Sequence, residues 1–168
     1  TITGRFYINA YSENYEYLYW TSPMITEILI GYRKGWLIYT PIMVFGFLGF
    51  ITFYKEQKEI FWPIFLFSIV NIYVVSCWSS WWYGGSFGMR ALIEGSVVFS
   101  LPMASFFTYL GKKSVVSHIS SIIVAFLISL NMFQSYQYYT GVIHYCAMTR
   151  AAYWAVFGVT PPAHKYYM

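Results

Sequence analysis

Charged residues interrupt this chain at only a few points, and the stretches between them are apolar and of membrane-spanning length. Residues 36–54 (WLIYTPIMVFGFLGFITFY) carry no charge over nineteen positions, close to the roughly twenty that a bilayer core requires. The polar turn Lys55-Glu56-Gln57-Lys58-Glu59 separates this first expected span from a second, residues 60–77, whose one strongly polar amide is Asn71. Residues 91–110 form the third, with Glu94 near its start and Pro102 in its middle, where a kink is expected. After the turn Gly111-Lys112-Lys113-Ser114, residues 115–134 make the fourth. The pattern predicts an all-α, polytopic membrane protein with about four transmembrane helices over residues 36–134. Pro41 falls in the first two turns of its helix, where a missing amide hydrogen costs least. Gly46 and Gly49 read as positions of close helix approach, and Asn71 as an amide that hydrogen-bonds a neighbouring helix.

The flanks have another texture. Residues 1–35 begin with a polar and aromatic segment, then a short apolar run, 24–32, that ends in Arg33-Lys34-Gly35. That run is too short to span and reads as a re-entrant or interfacial helix. Residues 135–168 form a tail rich in rings, with a short amphipathic helix expected at 148–157, stopped by Gly158, and an extended exit forced by Pro161-Pro162. Between the second and third spans lies WSSWWYGGSFGMRALIE, residues 78–94, whose loop portion is 78–90. Rings of this kind settle at the membrane–water boundary, so both flanks and the loop are expected to lie as interfacial segments on one face.

Composition sharpens this picture. Of the 168 residues 58% are hydrophobic, 24% aromatic and only 10% charged, and the mean hydropathy is +0.51, too few charges to clothe a soluble globule. The net charge of +4 comes from scattered residues that form no basic stripe, which argues against nucleic acid as a partner. Lys55, Lys58, Lys112 and Lys113 crowd the two shortest turns. Positive-inside logic puts those turns in the cytoplasm and the aromatic loop and tail on the outer face, periplasmic in a bacterial inner membrane. Cys77 ends an apolar run, where a buried free thiol is ordinary, and with Cys146 it is read as reduced. Thr1 is not an initiator methionine and no signal-peptide pattern follows it, so the sequence is expected to be a piece of something longer.

Few residues are placed for chemistry. Arg90 and Glu94 stand four apart at the entry to the third span, on one helical face where they can pair. Ionisable groups at that depth tend to be functional, and an arginine beside glycines suits a phosphate. Trp78, Trp81, Trp82 and Tyr83 either stack on sugar rings or form an interfacial belt. His118 and His144 are isolated from acids, and no metal-ligand spacing, hydrolytic triad or phosphate-binding GxxxxGK loop is present. All six acids are glutamates.

Three stretches carry a likeness: GYRKGWLIYTPIMVFGFLGF, WSSWWYGGSFGMRALIEGSVVFSLPMASFF and LNMFQSYQYYTGVIHYCAMTRAAYWAVFG. In that order they resemble the C-terminal half of bacterial multispanning proteins of the polyprenyl-phosphate-sugar-dependent (GT-C) glycosyltransferase superfamily, in particular its mannosyltransferase-like members. The resemblance implies inverting transfer of a sugar from an undecaprenyl-type phosphate carrier, at the periplasmic face, with the polyprenyl-phosphate-linked sugar as donor and the carrier and membrane lipid as partners. By the same resemblance Arg90 matches a phosphate-contacting arginine, and Gly84, Gly85 and Gly88 the loop that lets it reach the carrier. Glu94 falls where related sequences often have an acid. His144 and Tyr138 lie in the matching tail segment, and His144 is read, with Glu94, as a supporting residue. The general base of such enzymes belongs to a loop of the N-terminal half, and with no aspartate in this chain the catalytic residue is not assigned. The rival expectation is a non-catalytic structural or accessory subunit of a larger inner-membrane complex, with the aromatic surface as its docking face.

Overall fold

The structure, a computed structural model, describes residues 17–160; the first sixteen residues of the aromatic segment and the expected Pro161-Pro162 exit lie outside them. Seven α-helices follow in order: α1 (Ile25–Ile30), α2 (Trp36–Tyr39), α3 (Val44–Glu56), α4 (Lys58–Ser76), α5 (Ile93–Gly111), α6 (Ser114–Tyr139) and α7 (Arg150–Val156). 3-10 turns at Pro41–Met43 and Arg90–Leu92 lead into α3 and α5. Among the described residues the extended pairing is limited to one antiparallel bridge, Leu18 with Trp78. The protein is all-α and polytopic, and among the described residues three helices are long and apolar enough to cross a membrane: Lys58–Ser76, Arg90–Gly111 and Ser114–Tyr139.

The first expected span departs from the prediction. Residues 36–54 are not one helix, because Thr40 leaves helical geometry (φ −134°, ψ 65°) directly before Pro41. Proline disfavours the α region for the residue that precedes it and removes an amide donor. The chain therefore runs α2, 3-10 turn, α3, and the thirteen residues of α3 reach about 20 Å, short of the roughly 30 Å bilayer core. Pro102, by contrast, lies inside a continuous α5.

Close backbone approach between α3 and α5 compensates for the short helix. A Cβ on Gly49 would stand 2.0 Å from the Pro102 carbonyl oxygen, and one on Gly46 would stand 3.0 Å from Phe99 Cδ1. Phe99 then meets Phe47, Trp36 and Phe50 edge to face, at centroid distances of 5.0, 5.1 and 5.6 Å. Further along the same seam Ser105 Oγ donates to Glu56 Oε2 at 2.7 Å. Asn71 of α4 faces α5, its Oδ1 2.7 Å from where a Cβ on Gly95 would be. The core gathers Ile28, Trp36, Val75, Met89, Leu92 and Phe99. A second cluster, Tyr39, Ile143, Met148 and Tyr153, joins α2 to the tail. Helix α6 stands apart, with none of its most apolar stretch buried.

Gly49→Ala should lower thermal stability in detergent by about 1–3 kcal/mol, because the new methyl meets backbone that cannot move aside. Gly111→Ala, where a Cβ meets open space, should leave the midpoint unchanged or slightly raised. Equal midpoints for the two variants would contradict the close α3–α5 contact.

Candidate functional site

The candidate site is assembled from three segments that are far apart in sequence. Residues 17–24 run along the start of the central loop: Tyr19 N donates to Cys77 O at 2.6 Å, Ser79 N to Tyr17 O at 2.9 Å and Met24 N to Ser76 O at 2.9 Å. Helix α1 then buries Ile28 completely and delivers Arg33 and Lys34 to the junction of loop and tail. Arg33 Nε donates to Cys146 O at 2.7 Å and Nη2 to Cys146 Sγ at 3.4 Å. Its guanidinium lies 4.0 Å from the Trp82 ring centroid and 5.5 Å from that of Trp81. Lys34, only 1% exposed, donates through Nζ to Ser86 O and to Tyr145 O at 2.7 Å. Burial pushes the Lys34 ammonium down to about 8, an effect opposed by Cys146 and aided by the charge of Arg33.

The pair that carries the assembly is thus Arg33-Lys34, which sequence reasoning used only as the end of an apolar run. The available signal was two adjacent cations between apolar segments, without an acid beside them to account for their charge. Both cysteines are free, Cys77 buried and Cys146 partly so.

The central loop turns on left-handed backbone. Tyr83 (φ 49°) and Gly84 (φ 69°) are consecutive in that region, and Tyr83, which lacks glycine's freedom, is held by its hydroxyl on Val75 O at 3.2 Å. Gly88 (φ 56°) is also closely packed, since a Cβ would come 3.1 Å from Tyr39 Cβ. Gly85 lies against the Tyr145 ring, whereas Gly84 faces open space. Trp81 and Trp82 meet edge to face at 5.9 Å beneath Arg33, and the Trp78 backbone forms the bridge with Leu18.

Arg90 and Glu94 share a groove of about 470 Å³ with Tyr83, Ala91 and Ile93. Both are exposed, and among the described residues no ion pair joins them. The spacing of four implied pairing on a helix, but Arg90 sits in the 3-10 turn and α5 begins only at Ile93, so the α-helical relation that sets i and i+4 side by side is lost. His144 Nδ1 accepts from Cys146 N at 3.1 Å and Ala147 N at 2.9 Å, which makes it the brace of a tail turn. Tyr138 packs on Phe87 at 5.7 Å. The expected tail helix is α7, capped by Thr149, whose hydroxyl accepts from Ala152 N at 3.2 Å, and followed by Gly158 at φ 79°. Gln134 Nε2 donates to Tyr153 Oη at 2.6 Å, and Gln137 Nε2 to the carbonyls of Val156 and Val159 at 2.8 Å each. These two amides tie α7 to the end of α6. Among the described residues no three His, Cys, Asp or Glu side chains gather as metal ligands.

Fold and site together define a membrane-embedded helical protein with a clamped polar and aromatic cap at one end. No protein-family profile, no curated protein and no solved structure matches the chain.

The Lys34 clamp has a pH signature. Between about pH 8 and the ordinary lysine value of 10.5 the unfolded chain binds more protons than the folded one, so Lys34 contributes stability that rises with pH through that window. Unfolding midpoints in detergent from pH 7.5 to 10.5 should show wild type gaining on Lys34→Met as pH increases. Parallel curves would contradict a buried, depressed Lys34.

Proposed function

We propose that this chain is the carrier-binding half of a GT-C-type glycosyltransferase, which transfers a sugar from a polyprenyl-phosphate donor at the periplasmic face of a bacterial inner membrane. The observation that carries the reading is the Arg90–Glu94 groove: an exposed arginine, unpaired by any acid among the described residues, at the mouth of a membrane-length helix and next to a glycine-turned loop. The resemblance of the loop and tail stretches supports the same reading.

In this role Arg90 binds the carrier phosphate. When the bond between the sugar anomeric carbon and the phosphate oxygen breaks, negative charge grows on the departing phosphate, and a guanidinium fixed beside it stabilises that charge more than the ground state. Glu94, exposed in the same groove, accepts hydrogen bonds from sugar hydroxyls. Tyr83 offers the groove an aromatic edge, whereas Trp81 and Trp82 are engaged by Arg33 and position the loop. The base that activates the acceptor is not assigned to a residue of this chain.

In the full-length protein Arg90→Ala should reduce carrier-dependent sugar transfer at least about a hundredfold, as loss of a transition-state charge partner does, with expression and membrane insertion intact. Unchanged transfer would remove the assigned role.

A second reading is supported by α6. Its unburied face carries Ser117, Ser120, Ser121 and Ala125, which line a groove of about 390 Å³ with Phe107, Val124 and Ile128; small residues at this spacing let another transmembrane helix pack closely. An accessory subunit would use this seam to hold a larger complex. Ser121→Leu should then release the protein from its partners during mild detergent extraction, and migration of the wild type as a lone monomer counts against a subunit role.

A further inference from the structure

A second groove, of about 530 Å³, opens between α1, Trp81 and the start of α7. It shares no lining residue with the Arg90 groove, and its volume is that of a small-molecule site. Three charges line it, Glu27, Arg33 and Arg150, contributed by α1, by the turn after it and by the tail.

The two arginines differ in how they are held. Arg33 is fixed by Cys146 and by the Trp82 ring, so ordering it costs a ligand little. Two of its five N–H groups are engaged, and the other three make no hydrogen bond among the described residues. Arg150 is exposed, its guanidinium 6.0 Å from the Tyr32 ring and without a hydrogen bond among the described residues. Guanidinium groups lining one groove suit the oxygens of a phosphate. Glu27 brings the opposite sign. Its Oε2 folds back over Gly31, 2.6 Å from where a Cβ would be, and among the described residues it forms no ion pair with either arginine.

A groove that keeps a carboxylate and two guanidinia apart matches a ligand with both signs. We propose that it binds a zwitterionic phosphate ester of the phosphoethanolamine class, the phosphate at Arg33 and Arg150 and the ammonium at Glu27. Exposed Ile30 with Met148 supplies an apolar border. The ligand is the headgroup of a membrane lipid or a soluble ester of the same chemistry. The proposal is independent of the transferase reading.

The test uses the full chain purified in a maltoside detergent free of phospholipid. Calorimetric titration with phosphoethanolamine and with short-chain phosphatidylethanolamine, against the matching phosphoglycerol compounds, should show saturable binding and a preference of about tenfold or more for the amine, the order of one charge-assisted hydrogen bond. Arg150→Gln should weaken every ligand about tenfold. Glu27→Gln should abolish the amine preference by weakening the amine ligand. Both residues are exposed, and unchanged circular dichroism confirms folding. Binding of lipid alone assigns the headgroup as the source; binding of the soluble ester with equal affinity assigns a free ligand. The proposal fails if neither ester binds saturably, if Arg150→Gln binds like wild type, or if Glu27→Gln tightens binding, since that last result marks a simple anion site.

Discussion

Lys34 is a cation with 1% of its surface exposed, and burying such a group is unfavourable unless its hydrogens find acceptors. Those acceptors are the carbonyl oxygens of Ser86 and Tyr145, one from the central loop and one from the tail. The ammonium can be accommodated only if both segments come to it. Arg33 repeats the arrangement one residue earlier, with Cys146 O on one side and the faces of Trp81 and Trp82 on the other. Two adjacent cations therefore hold together a cap whose parts would otherwise be separate loops on a helical bundle.

Beneath the cap, the bundle meets a different constraint. Pro41 breaks the first apolar run, and α3 is too short to cross a bilayer unaided. Gly46 and Gly49 let α3 lie against α5 at backbone distance, and the aromatic contacts of Phe99 with Trp36, Phe47 and Phe50 fill the space above. The rigid α3–α5 pair supports the cap, because Trp36 follows Lys34 by two residues and is itself buried in that cluster. Helix α6 buries none of its most apolar stretch; it packs on α5 and on the Pro41–Met43 turn, and near its far end Asn131 donates to Tyr39 O while Gln134 and Gln137 hold α7.

Two grooves open in the cap, and their polarity follows from this construction. Where the clamp engages a charged group fully, as at Lys34, nothing is left for a ligand. At its edges charge stays within reach: Arg90 and Glu94 at the entry to α5, Glu27 and Arg150 between α1 and α7, and beside them the N–H groups of Arg33 that Cys146 does not engage. The glycines divide in the same way. Gly85 and Gly88 are used for packing against Tyr145 and Tyr39, and Gly84 alone of the three faces open space.

The apolar runs 60–77, 91–110 and 115–134 predict α4, α5 and α6 because spanning length is a property of consecutive residues and needs no knowledge of neighbours. Gly46 and Gly49 were legible as packing positions for a similar reason, since small residues inside an apolar helix have few other uses. The tail helix and its stop at Gly158 were also readable from local pattern. The break at Thr40 was only half legible, because Pro41 is tolerated in the first turn of a helix and disruptive beyond it, and position within the helix depends on where folding starts it. The junction of Arg33 and Lys34 with Ser86, Tyr145 and Cys146 spans 52 to 113 residues, and nothing local at either end announces it. Arg90 and Glu94 were readable as a pair of interest but not as unpaired, since the spacing rule assumes α-helical geometry and a 3-10 turn withdraws it. That α4, α5 and α6 are long and apolar enough to cross a membrane was thus written in the order of residues, whereas the break in the first run, and which charges are consumed and which stay free, was decided only when the helices packed and distant carbonyls and rings came within reach.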